Sequence, residues 1–127
     1  MEKKVFDTTV DLDSTFLEAV YENDRETAAA IFQQYLHELP GDLHSINESF
    51  ESGDKKLFLS VIHKKKVGFS YVGLTDVTAR MNDLESKCVT ADNLQVYQSE
   101  LKSVIDRINA STEAIQMVLK RLQQQEI

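Results

Sequence analysis

Four glycines and a single proline are the only strong chain breakers in 127 residues. A β-sandwich or barrel needs a turn every ~8–12 residues, and those turns draw heavily on glycine and proline. Few breaks imply few, long elements, so the chain is expected to be helical. Hydrophobic residues make up 42% and charged residues 28%, which is apolar enough to build a core and too apolar for a disordered chain. The length suits one domain over residues 1–127, with 1–12 expected to be irregular. The lone Cys88 closes no disulfide within the chain, and no Cys/His cluster has zinc spacing. The opening Met1-Glu2-Lys3-Lys4-Val5 lacks an apolar leader, and no run of 18 apolar residues occurs. A cytoplasmic protein without membrane contact is the expectation.

Apolar residues recur at helical spacing in successive segments. Asp13 or Ser14 is placed to cap a short helix with apolar Phe16, Leu17 and Val20. Asn23 or Asp24 opens a longer one, whose stripe reads Ala28, Phe32, Tyr35, Leu36, Leu39, Leu43, Ile46, Phe50. Pro40-Gly41 falls inside it, yet the stripe stays in phase, which predicts a kinked continuous helix. After Ser52-Gly53, Asp54 caps a third helix with the stripe Phe58, Ile62, Lys65, Phe69, Val72, and Gly73 ends it. Thr75 starts a fourth with Val77, Met81, Leu84 and Cys88 on one face. Thr90 or Asp92 starts the last, whose stripe runs Leu94, Tyr97, Leu101, Val104, Ile108, Ser111, Ile115, Val118, Leu122. The expected fold is all-α: an up-and-down antiparallel four-helix bundle with a short additional N-terminal helix.

Charge is divided unevenly. Residues 1–54 hold 13 acids and 3 bases, whereas 55–127 hold 8 acids and 11 bases. The net charge of −7 argues against nucleic acid, whose affinity for proteins comes mainly from bases neutralising phosphates. Five of the 14 bases lie between Lys55 and Lys66, around a histidine.

Most catalytic motifs are missing. There is no phosphate-binding loop, no dinucleotide fingerprint and no nucleophile elbow. The residues three before His37, His44 and His63 are Gln34, Gly41 and Ser60, so the Glu-x-x-His pairs of di-iron bundles are absent. His37 and His44 read as surface residues. His63 differs. It shares a helix face with Lys66, Val67 and Ser70 at i+3, i+4 and i+7, off the Phe58/Ile62/Phe69 stripe, and should be exposed. Lys64, Lys65 and Lys66 beside it would offset the charge of a phosphoryl group carried on the ring. On residues alone, an idle surface histidine in a lysine-rich patch remains open.

The run His63-Lys64-Lys65-Lys66-Val67-Gly68-Phe69-Ser70-Tyr71-Val72-Gly73-Leu74 resembles the signature of histidine-containing phosphotransfer (HPt) domains. That signature has a histidine, a lysine three residues on and a glycine ten residues on, matched by His63, Lys66 and Gly73. Leu17-Glu18-Ala19-Val20, Phe32 to Pro40, Leu43 to Asp54, and Leu84-Glu85 are similar to the family layout, so the likeness covers most of residues 10–125. It implies a phosphorelay intermediate and no turnover enzyme. His63 would accept a phosphoryl group from an aspartyl phosphate on one receiver domain and pass it to an aspartate on another. Lys66 would be the cation beside it, Gly73 would permit the turn into the next helix, and Lys64, Val67 and Ser70 would meet the docked receiver. The receiver, belonging to a response regulator or hybrid histidine kinase, would bring the metal ion, so this chain needs no cofactor or metal and should act as a monomer.

Two positions depart from the family pattern. Val67 stands where the family has glycine, and Lys65 stands where it has an apolar residue on the core stripe. A lysine stem can lie on the core and send its ammonium outward. Val67 leaves in view a docking module that binds a receiver or kinase without chemistry, and the Leu94–Leu122 stripe a structural adaptor that pairs through the last helix.

Overall fold

Aspartates start three of the helices. In the computed structural model, which describes residues 5–6 and 11–124, Asp13 accepts a hydrogen bond from the Phe16 amide at 3.0 Å and opens α1, Ser14–Tyr21. Asp24 does the same from Thr27 at 3.0 Å for α2, Arg25–Glu51, and Asp54 from Leu57 at 3.1 Å for α3, Lys55–Ser70. Each such cap satisfies an amide that the helix cannot, and is worth ~1 kcal/mol. Two further helices follow, α4 over Thr75–Val89 and α5 over Gln98–Gln123. No strand occurs among the described residues. The irregular segment expected over 1–12 falls largely on residues 1–4 and 7–10, outside the described residues.

α2 runs unbroken through Pro40, as its uninterrupted stripe predicted. The start of the last helix differs from expectation. Neither Thr90 nor Asp92 caps it; Asn93 does so for a single 3₁₀ turn, Leu94–Tyr97, by accepting from the Gln95 amide at 3.0 Å. The tighter 3₁₀ winding buries Leu94 while the chain reverses, and α5 begins only at Gln98.

The apolar stripes meet in one core. α2 packs against α3 and α5, and α4 packs against α3 and α5, so the four long helices close a ring. Phe50 of α2 meets Phe58 of α3 edge-on at 5.2 Å, and Tyr35 meets Phe69 at 5.8 Å. Burying a side chain of this size contributes ~1.5–3 kcal/mol. The whole α5 stripe is buried or half-buried within this core, down to Leu122. Lys65 lies half-buried on the α3 stripe, and its ammonium pairs with Asp42 of α2 at 2.8 Å. The outward-reaching lysine thus ends on a carboxylate.

With few glycines to end helices, distant cations close two C-termini. Arg25 donates to the Arg121 and Gln124 carbonyls at the end of α5, and Lys55 to the Val89 and Ala91 carbonyls at the end of α4.

α1 is fixed to the turn between α3 and α4. The Asp13 amide donates to the Gly73 carbonyl at 2.8 Å, and Thr75 Oγ1 donates to Asp13 Oδ2 at 2.8 Å. Tyr21 donates its hydroxyl to the Tyr71 carbonyl at 2.6 Å; burial, and then the neighbouring Tyr71, push that phenol up to about 12. Gly73 has φ +89, and a Cβ there would lie 2.8 Å from Leu12 Cβ and 3.0 Å from Leu17 Cδ1. Only glycine satisfies both the left-handed backbone and the close approach of α1.

Candidate phosphoacceptor face

α3 presents two different edges beside its outward face. On the α2 side Lys65 meets Asp42. On the α4 side His63 and Lys66, one turn apart, both meet Glu85 of α4. His63 Nδ1 lies 3.1 Å from Glu85 Oε2, and Lys66 Nζ lies 2.6 Å from Glu85 Oε1. The two carboxylate oxygens are therefore divided between the imidazole and the ammonium.

The three groups differ in exposure. The His63 side chain is 69% exposed, while those of Glu85 and Lys66 retain 21% and 15%. A carboxylate only accepts hydrogen bonds, so His63 Nδ1 carries the proton in this contact. The lone pair of the neutral ring is then on Nε2, which has no protein partner among the described residues. The Lys66 hydrogen bond, aided by the one from His63, holds the Glu85 carboxyl below its ordinary range, while partial burial opposes them. Glu85 remains a carboxylate at neutral pH.

The other expected site residues are placed as follows. Lys64 is exposed and has no ion-pair partner among the described residues. Val67 is exposed to 49% of its surface, one turn beyond His63. Gly68 has open space around it. Ser70 is half-buried and donates its hydroxyl to Thr78 Oγ1 at 2.7 Å, while Thr78 donates to the Lys66 carbonyl at 2.7 Å. That chain ties α3 to α4 directly beneath Lys66. His37 is exposed, and His44 is exposed and pairs only with Glu48 on its own helix at 2.8 Å.

Glu85 is the residue that the lysine-centred reading left out. It follows Leu84 at the edge of the α4 core stripe, and an acid at such an edge is a recognisable signal. Choosing its partners requires the register between α3 and α4, 19 and 22 residues apart in the chain. Among the described residues no group of His, Cys, Asp and Glu is arranged to hold a metal ion, and no helix is long and apolar enough to cross a membrane. Comparisons with protein-family models, with curated proteins and with solved structures gave no match.

Proposed function

We propose that this chain is a histidine-containing phosphotransfer protein, an up-and-down four-helix bundle that relays phosphoryl groups between receiver domains through His63. The observation that carries the reading is the His63–Glu85 contact. It holds the ring by Nδ1 and leaves Nε2 without a protein partner among the described residues, on a side chain that is 69% exposed. In the relay step the Nε2 lone pair attacks phosphorus, the bond from phosphorus to the aspartyl oxygen breaks, and the receiver's aspartate leaves as a carboxylate. The Nδ1 proton stays on the ring, where Glu85 stabilises the positive charge that phosphorylation leaves there. The reverse step hands the group to another receiver.

Such a transfer requires little of this chain beyond position and exposure, since loose phosphoryl-transfer transition states depend on alignment and charge. The receiver supplies the metal ion and remaining cations. Lys66 acts here through Glu85, by fixing the carboxylate that fixes the ring. Lys64 is the ammonium with freedom to approach a phosphoryl group.

The reading is tested by incubating the protein with phosphorylated receiver domains and following the label. Acid-labile, base-stable label on His63, absent from His63→Gln, is the expected result. A second reading rests on Val67, whose side chain stands where a receiver must come close: a docking module without phosphoryl acceptance. Receiver binding with no label on the wild-type chain would establish that alternative.

A further inference from the structure

Three lysines follow His63 in the chain, and only Lys64 lacks an ion-pair partner among the described residues. Successive residues on a helix point about 100° apart, so Lys65 and Lys66 leave α3 in divergent directions. Lys65 Nζ lies 2.8 Å from Asp42 Oδ1 on α2, and Lys66 Nζ lies 2.6 Å from Glu85 Oε1 on α4. Carboxylates of two different helices thus grip α3 from opposite flanks, immediately after the histidine. Neither grip resembles the exposed His44–Glu48 pair, of the kind that contributes little. Asp42 is 23% exposed and Lys65 36%. The seam beside them is dry: the Tyr35 hydroxyl is buried with no hydrogen-bond partner among the described residues, and its ring meets Phe69 edge-on. Burial, and then the Asp42 charge, push that phenol's pKa up. In such surroundings a hydrogen-bonded pair is stronger than at the surface.

Lys65 stands on the apolar stripe of α3, between Ile62 and Phe69. An apolar residue there would fill the seam, but apolar contact is non-directional and tolerates a small roll of the helix. At ~6 Å from the helix axis, a roll of about 10° moves a side chain by about 1 Å. The His63–Glu85 contact, already 3.1 Å long, does not survive a shift of that size. The Lys66–Glu85 pair alone pulls α3 only toward α4, and Lys65–Asp42 supplies the opposing pull. We propose that Asp42 is a positioning residue of the relay site: through Lys65 it balances Glu85 across α3 and fixes the roll that keeps His63 Nδ1 on Glu85. The effect on transfer rests on the relay reading above; the effect on the ring does not.

The test separates the ring from the fold. Asp42→Asn with Lys65→Met removes both charges and leaves neither unpaired, an exchange that is often neutral for stability. Asp42→Lys with Lys65→Glu keeps a pair across the same seam with its signs reversed. Circular dichroism and thermal melting establish that each variant is folded; if the reversed pair does not fold, the neutral pair decides alone. Nitrogen NMR, at a pH where the imidazole is neutral, reads which nitrogen of His63 carries the proton. Each variant is then labelled by phosphorylated receiver domains, and separately by phosphoramidate, a donor too small to need docking. For the neutral pair, the Nδ1–H share should fall toward the Nε2–H form that an unconstrained imidazole favours. Receiver-dependent transfer should fall fivefold or more, with phosphoramidate labelling within threefold of wild type. The reversed pair should return the Nδ1–H share and the transfer rate to within twofold. A neutral pair with either readout at the wild-type level, a loss equal with both donors, or a loss that a folded reversed pair does not recover overturns the positioning role. No label from receivers on the wild-type chain overturns the relay itself, and the Nδ1–H share alone then decides whether Asp42 orients the ring.

Discussion

At the scale of single residues, the candidate site reduces to three charges and one lone pair. His63→Gln should abolish label acceptance and leave the melting temperature within about 1–2 °C, because an exposed side chain contributes little to packing. Label retained in that variant, or found on His37 or His44, would remove His63 from the role. Glu85→Gln and Lys66→Ala should both slow transfer, the first more, since the first removes the negative charge that stabilises the phosphorylated ring and leaves only a neutral acceptor for Nδ1, whereas the second only loosens the carboxylate. If Lys66 instead met the phosphoryl group directly, Lys66→Ala would remain damaging in a Glu85→Gln background; a double-mutant cycle on the transfer rate decides. The depressed Glu85 carboxyl also gives a pH signature. A carboxyl whose pKa falls on folding stabilises the fold above its ordinary range near ~4.3, and that contribution disappears as pH drops through the lower folded value. The gap in melting temperature between wild type and Glu85→Gln should therefore be present at pH 7 and close below about pH 4. These interactions lay beyond sequence reasoning for a simple reason. The His63–Lys66 spacing is written within one helix, whereas Glu85 enters from another, at a height set by packing.

At the scale of elements, nearly every helix was legible. Of the two caps open at each of the first helices, Asp13 and Asp24 are used, Asp54 caps as expected, and the stripes of α2 to α5 are the buried faces. The 3₁₀ turn before α5 escaped because the stripe through Leu94, Tyr97 and Leu101 fits either helix type. Two substitutions probe this level. Pro40 is exposed inside α2 and leaves one helix carbonyl without its amide, so Pro40→Ala should stabilise the protein by about 1–3 kcal/mol in urea unfolding. No gain would mean that the surrounding packing requires the shape proline imposes. Gly53 and Gly73 both have positive φ, +74 and +89, but a Cβ meets open space at the first and α1 at the second. Alanine should cost about 1–2 kcal/mol at Gly53 from backbone strain alone. At Gly73 overpacking adds a further ~1–3 kcal/mol. Equal losses at the two sites would mean that α1 yields freely.

At the scale of the whole molecule, charge and rigidity govern how a partner arrives. The acids gather in residues 1–54 and the lysines on α3. Raising salt from about 0.1 to about 1 M shortens the screening length from ~10 to ~3 Å. Receiver-dependent transfer should slow severalfold over that range, with phosphoramidate labelling less affected. An unchanged receiver rate would mean that apolar contact alone brings the partners together. The stitching of α1 bears on the same encounter. Asp13, Thr75, Gly73 and Tyr21 bind α1 to the α3–α4 turn by three short hydrogen bonds. α1 is therefore held in place before any partner arrives. A helix fixed in this way has little backbone ordering left to lose on binding. Stopped-flow association traces should then be single-exponential, with an observed rate that climbs linearly with receiver concentration and reaches no plateau. Speed of recognition would then be limited by collision and orientation, as the proposed relay role requires.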